Sequence, residues 1–304
     1  MRKRVLITGG SGILAVNWAI TMRDRHQIIL GLHSRNISLR NVHSSKISIE
    51  SGENFTSELN LINPDIVIHT AGLTNIETCE LKPNLAHDIN VKLAGNVAYA
   101  CKKLAIPLVH ISTDHIFSGS DSFSGETVKY APKNVYASTK AEAEVRILDV
   151  CPEALIIRTN FFAWGPSYRR SFSDLIIDSL RVGKKITLFE DAFYTPILAE
   201  SVAYIVHELI EKNANGIFNI VGDDRISKLE FGYKVAKHFD LESNLILPGY
   251  LNMHSALVIR PLDMSLSNRK TIELLGRKLG GVDEHITKLR KQEEIGIAKE
   301  LQNI

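Results

Sequence analysis

A hydroxyl, a phenol and an amine are spaced in this chain as the reduction of a carbonyl would need. Leu108, Val109 and Ile111 form a short apolar run after Pro107 and read as a buried strand. The strand stops at Ser112-Thr113-Asp114, which sets small hydroxyls at its carboxyl end. In an open α/β sheet that edge faces the ligand crevice. After a polar loop from Ser118 to Asn134, a helix is expected to begin near Tyr136. Tyr136 and Lys140 are four apart, so they share one helical face about 6 Å apart along the axis. Thr113, Tyr136 and Lys140 are therefore the expected catalytic set. Tyr99/Lys103 and Tyr233/Lys237 have the same spacing, but neither follows a Ser-Thr-ended strand and a connecting loop. Both read as ordinary amphipathic helices with a solvated lysine.

Such a trio needs a scaffold that holds a hydride donor. Arg4 to Thr8 reads as a strand, followed at once by Gly9-Gly10-Ser11-Gly12-Ile13-Leu14-Ala15 and a helix to about Arg23. A glycine-rich turn between strand and helix lets backbone approach a pyrophosphate, and the helix N-terminus offers free N–H groups. Gly9, Ser11, Gly12, Ile13 and Leu14 are thus expected to hold a dinucleotide, with Ala15 small enough for close helix–strand packing. A second strand, Gln27 to Leu32, runs into His33-Ser34-Arg35 with no carboxylate to bind a ribose 2′-hydroxyl. An arginine there favours a 2′-phosphate. His33, Ser34 and Arg35 are accordingly expected at the cofactor, and NADP(H) is expected in preference to NAD(H).

Lys46 to Ile49 reads as a third strand, Asn54 to Asn63 as a helix and Asp65 to His69 as a fourth strand. The small residues after it bring Ala71, Gly72 and Thr74 into the expected cofactor set, together with Lys140. Leu85, Ile89, Leu93 and Val97 recur every four residues and mark a helix on the sheet. Asn90 lies off that stripe, as either a buried satisfied amide or a support for the site. Ala154 to Arg158 reads as a sixth strand. The alternation implies the α/β class, a doubly wound parallel sheet of Rossmann type over residues 1–158.

Residues 159–304 are expected to form a smaller substrate-binding lobe, intertwined with the first part. Its pieces are an aromatic loop from Thr159 to Pro166, helices at 172–182, 199–212 and 228–239, extended segments at 185–189 and 216–221, and one charged terminal helix from Val282 to Gln302. Phe161, Trp164, Tyr194 and Arg260 are candidates to stack on a base or meet a diphosphate, beside Thr113 and Asp114. The bulk properties narrow the class further. Thirty-six basic and 34 acidic side chains give a net charge of +2, so nothing calls for nucleic acid or an anionic membrane. Val5-Leu6-Ile7 after the basic start is too short for a signal-peptide core, and no run approaches the roughly 18 apolar residues of a membrane span. Cys79, Cys101 and Cys151 are scattered and odd in number, which suits a reducing cytoplasm and lacks metal-site spacing.

On these residues the chain resembles the extended short-chain dehydrogenase/reductases, and within them is similar to the dTDP-4-dehydrorhamnose reductase group. The matching pieces are Gly9 to Leu14, Ser112 to Gly119, Tyr136-Ala-Ser-Thr-Lys140, Asp191 to Pro196 and Arg260-Pro-Leu-Asp263, in the family's order along nearly the whole chain. The resemblance implies hydride transfer from NADPH to the keto carbon of a nucleotide-linked 4-keto-6-deoxy sugar, as in deoxysugar and polysaccharide biosynthesis. Tyr136 would give the proton to the alkoxide; Lys140 would hold the nicotinamide ribose and, with the positive charge forming on nicotinamide, lower the phenol from its usual value near 10. Thr113 would hold the carbonyl oxygen. The superfamily's nucleotide-sugar dehydratases usually follow that threonine with Asp-Glu; here His115 follows Asp114, so one carboxylate is missing. An epimerase stays open, and so does an NADP-binding regulatory or scaffold role resembling the methionine adenosyltransferase β subunit. A homodimer is common in the superfamily.

Overall fold

The computed structural model describes residues 2–253 and 257–304. Among them, seven strands build one parallel sheet. They are β1 (Arg4–Thr8), β2 (Gln27–Leu32), β3 (His43–Lys46), β4 (Ile66–His69), β5 (Leu108–Thr113), β6 (Leu155–Thr159) and an edge strand, Gly216–Asn219. In space the order is edge strand, β6, β5, β4, β1, β2, β3. The chain winds outward from β1 to β3, then returns to lay β4 on the other side of β1. That reversal opens a crevice beyond the carboxyl ends of β1 and β4.

Helices coat both faces, so the inner strands are apolar on both. Val5 and Ile7 face α1 (Ile13–Met22), while Leu6 faces α2 (Gly52–Ile62) and the helices that follow it in the chain. Those are the short α3 (Ile76–Leu81) and α4 (Pro83–His87), a wide π-helical turn at Asp88–Lys92, α5 (Leu93–Lys103) and α6 (Val135–Val150). The helix Ala199–Glu211 packs beside α1.

The C-terminal half is bound into the same core. Beyond the edge strand it supplies three small ribbons: Phe161–Phe162 with Ile197–Leu198, Phe193–Tyr194 with Ile226–Ser227, and Ile186–Phe189 with Ile246–Gly249. Asn17 on α1 donates to the Trp164 carbonyl at 2.8 Å, and the Trp18 indole donates to His207 at 3.2 Å. Among the described residues no helix is long and apolar enough to cross a membrane.

Three expectations about elements need correction. The third strand is His43–Lys46, one step before the apolar pair Ile47 and Ile49. Its residues are mostly exposed at the sheet's margin, while Ile47 packs over Gly31, whose missing side chain leaves the room. The four-residue stripe is buried only in part: Leu85 is exposed, Ile89 and Leu93 are half-buried and Val97 lies in the core, while Ala86, Asn90, Val91 and Ala94 point inward. The wide turn shifts the helix phase between Leu85 and Val97. Finally, Gly296 takes φ +86° and breaks the terminal helix into Val282–Glu294 and Ile297–Gln302.

Candidate active site

The start of α6 is fixed by its cap. The Asn134 side chain accepts from Ala137 N at 2.9 Å and donates to the Ile259 carbonyl at 2.9 Å. The helix then turns Tyr136 and Lys140 inward, toward the carboxyl end of β5. The Lys140 ammonium donates to the Ile111 carbonyl at 2.7 Å and meets His110 Nε2 at 3.1 Å. Burial lowers it to about 8, against the pull of Glu144 one turn on. Tyr136 shifts the other way. Burial pushes its phenol up to about 12; the Thr113 hydroxyl beside it pulls down, and Asp114 pushes further up. Lys140 is not among the groups that shift the phenol here: the ammonium is engaged with β5, and burial governs both groups. Thr113 donates to Asp114 Oδ1 at 3.1 Å, and Asn160 holds the other oxygen of that carboxylate.

These groups share a cleft of about 420 Å³ with the first turn of the sheet. Gly9 stands there with φ +69°, and a Cβ on it would fall 2.7 Å from the Ala71 backbone. Only glycine suits that position. Gly12 caps α1 with no side chain over the helix end, and its N–H donates to Gly9 O at 2.8 Å. Ser11, Ile13, Leu14, Ala71, Gly72 and Thr74 also line the cleft, as do Asp114 and Phe161.

Asn90, left open between two readings, is a buried and satisfied amide. The wide turn aims it inward, where Oδ1 accepts from Leu73 N at 2.7 Å and Nδ2 donates to the Leu73 carbonyl and to Thr139 on α6. It ties the wall after β4 to the helix carrying Tyr136.

Other expected residues stand elsewhere. His33, Ser34 and Arg35 are exposed at the end of β2 and are not among the cleft's walls. Arg35 stacks at 4.0 Å on the ring of Tyr168, whose hydroxyl donates to Ser11 O at 2.9 Å. Trp164 does not face the cleft: it is fully buried in the core, its indole donating to the Leu289 carbonyl. Tyr194 is buried too, with the Lys228 ammonium 3.2 Å from its ring centroid.

Arg260 is ion-paired with Glu77 and borders a second cavity of about 250 Å³. This cavity shares Ile76 and His115 with the cleft and, besides Arg260, is walled by mostly apolar side chains, Thr187 and Lys228. Burial brings Lys228 down to about 7, against Asp114. Lys228, Arg169 and His110 escaped the sequence reading. Lys228 follows the capping serine Ser227 and looks like an ordinary first-turn residue; Arg169, which donates to Thr74, sits in an irregular loop without a pattern. Among the described residues no group of three or more His, Cys, Asp or Glu is placed to hold a metal ion.

A family model described as the RmlD substrate binding domain matches residues 2–294. A probable low-salt glycan biosynthesis reductase of Haloferax volcanii is 29% identical over 247 residues, covering 79% of this chain and 81% of its own. A dTDP-4-dehydrorhamnose reductase of Mycolicibacterium smegmatis is 29% identical over 166 residues, 54% of this chain and less than half (46%) of that protein. The β subunit of methionine adenosyltransferase 2 from Rattus norvegicus is 24% identical over 81% of this chain and 75% of its own. In three dimensions, the dTDP-4-dehydrorhamnose reductase of Bacillus anthracis in complex with NADP superposes with a TM-score of 0.84 at 22% identity, over 96% of this chain and 100% of that one. The Bordetella bronchiseptica enzyme WbmG in complex with NAD gives 0.80 at 18% identity, over 100% and 98%.

Proposed function

Since the chain belongs to the RmlD substrate binding domain family, we propose that it is a nicotinamide-dependent reductase of a nucleotide-linked 4-keto-6-deoxy sugar, with NADPH the preferred donor. One observation carries the reading: Thr113, Tyr136 and Lys140 line a single cleft together with the glycine turn. The reductase names among its relatives support the same class of chemistry.

The residues present fit a dinucleotide. Gly9 and Gly12 leave the first turn of α1 open to a pyrophosphate, and Ala71 and Gly72 offer a wall without bulky side chains. A bound nicotinamide supplies the hydride. The chain supplies the rest. Thr113 orients the keto oxygen. The Tyr136 phenol, held protonated by burial, gives its proton to that oxygen as charge develops there. Lys140 keeps a positive charge behind the phenol and offers an N–H to a ribose hydroxyl.

NADP preference rests on Arg35 and on the lack of any carboxylate at the end of β2. The adjoining cavity, with Lys228 and Arg260 at an apolar chamber, suits a nucleoside diphosphate.

The test is direct. Full-length protein should oxidise NADPH when given a 4-keto-6-deoxy nucleotide sugar, and Tyr136→Phe should lose roughly 10²–10⁴-fold of that rate. Likeness to the methionine adenosyltransferase β subunit over 81% of the chain favours one second reading, an NADP-binding regulatory subunit. NADP binding without turnover across dTDP-, GDP-, CDP- and UDP-linked ketosugars would select it.

A further inference from the structure

Three neighbouring strands set Thr8, His69 and His110 side by side. Thr8 on β1 is in register with His69 on β4, and His69 with His110 on β5. Residues two apart along a strand share a face. The preceding row on this face, Leu6, Val67 and Leu108, belongs to the apolar core under α2, α5 and α6. The polar row is just as deeply buried, each of its side chains being at most 1% exposed. His69 Nδ1 meets the Thr8 hydroxyl at 2.7 Å, and the two imidazole rings lie 5.2 Å apart. His110 Nε2 then meets Lys140 Nζ at 3.1 Å.

Burying two imidazoles in an apolar face is costly, the more so because His69 Nε2 and His110 Nδ1 find no partner among the described residues. What the row reaches is the ammonium of the cleft. An ammonium has three N–H donors and no acceptor. Two are spoken for by Ile111 O and His110 Nε2, which leaves one for the cleft. The same logic assigns the tautomer: His110 Nε2 carries the lone pair and Nδ1 the proton.

We propose that His110, seated by His69 and Thr8, is a positioning residue for Lys140: its Nε2 fixes the direction of the ammonium and favours its charged form. The catalytic part of this inference rests on the reductase reading. The groups facing Lys140 are His110, the Ile111 carbonyl, Tyr136 one turn before it and Glu144 one turn after. Glu144 is engaged by Arg158, Ser112 and Tyr130. Among the described residues, the titratable groups that act on His110 are Lys140 and His69, with no acid beside it. Burial, and then the Lys140 charge, hold both imidazoles neutral, His69 as low as about 3. A neutral acceptor therefore stays in place across the working pH range.

The experiment compares the full-length parent with His110→Leu and His110→Gln, the latter keeping an acceptor oxygen. Two quantities are measured: the titration midpoint of Lys140, by carbon-13 NMR of lysine Cε assigned with Lys140→Met, and the pH profile of kcat/KM. Circular dichroism melts establish that each variant folds. His110→Leu should lower the Lys140 midpoint by about one unit, a tenfold loss of proton affinity, and move the alkaline limb of kcat/KM down with it. His110→Gln should stay close to the parent. An unmoved midpoint in folded His110→Leu, or equal shifts in both variants, overturns the proposal. If no ketosugar is turned over the reductase reading fails, and the NMR midpoint still decides what His110 does.

Discussion

Burial shifts Tyr136 and Lys140 in opposite directions because it penalises whichever form is charged. The phenol, at about 12, stays a proton donor through neutral pH; the ammonium, at about 8, is the group lost on the alkaline side. The folded value of Lys140 lies below its ordinary 10.5, so between the two the unfolded chain binds more protons. Stability from this group therefore rises with pH across that window, and below about 8 the full cost of the buried charge is present. Lys140→Met should melt no lower than the parent at pH 7 while its turnover falls at least about 100-fold; a clearly lower melt would mean the charge stabilises the fold. On the proposed NADP preference, Arg35→Ala should raise the Kd for NADPH about tenfold and leave that for NADH nearly unchanged. Equal changes would remove Arg35 from the NADP argument. That Thr113, Tyr136 and Lys140 share one cleft was legible because a Ser-Thr strand end and a four-residue helical spacing are local patterns. His110 was not, because a histidine inside an apolar strand announces no partner until β4 and α6 are brought beside it.

The helix α6 carries both Tyr136 and Lys140 and is pinned by its own buried network. Glu144, fully buried, accepts from the Arg158 guanidinium of β6 at 2.7 Å, from Ser112 of β5 and from the Tyr130 hydroxyl at 2.9 Å. Removing one member strands a buried guanidinium. Glu144→Ala should thus cost about 3–5 kcal/mol, read as a fall in the denaturant midpoint at constant m-value. The pair Glu144→Leu with Arg158→Met should recover most of it, since an apolar replacement leaves no uncompensated charge. Neither partner stood out in the sequence, where they are 14 residues apart on different elements. Elements were read well where an apolar run is buried almost throughout, as in β1 and β5, or where helical spacing turns side chains inward, as in α6. The readings slipped at the margin strand β3, where burial imposes no alternation, and between Leu85 and Val97, where a wide turn breaks the period.

Tryptophan occurs twice in the chain, and the two sit on opposite sides of the expected division at residue 158. Trp18 and Trp164 belong to one continuous core, which also takes in Phe231, Ile286 and Leu301. Trp18→Phe and Trp164→Phe, each leaving one indole as reporter, should therefore give the same urea midpoint by fluorescence and by circular dichroism. Separate midpoints would mean that the two halves unfold as distinct units. An intertwined second half was expected, but not the particular contacts, because pairs such as Asn17 and Trp164 join residues 147 apart. Asp88–Lys92 has a further consequence. A π-helical turn holds one residue more than the regular coil, so the stretch behaves like a washer that offsets everything behind it. Take the washer out, by deleting Ile89, and the helix can run straight and still cover the sheet. The amide now clasping Leu73 would then swing aside. Such a shortened chain should keep its helix content and grip a nicotinamide nucleotide poorly.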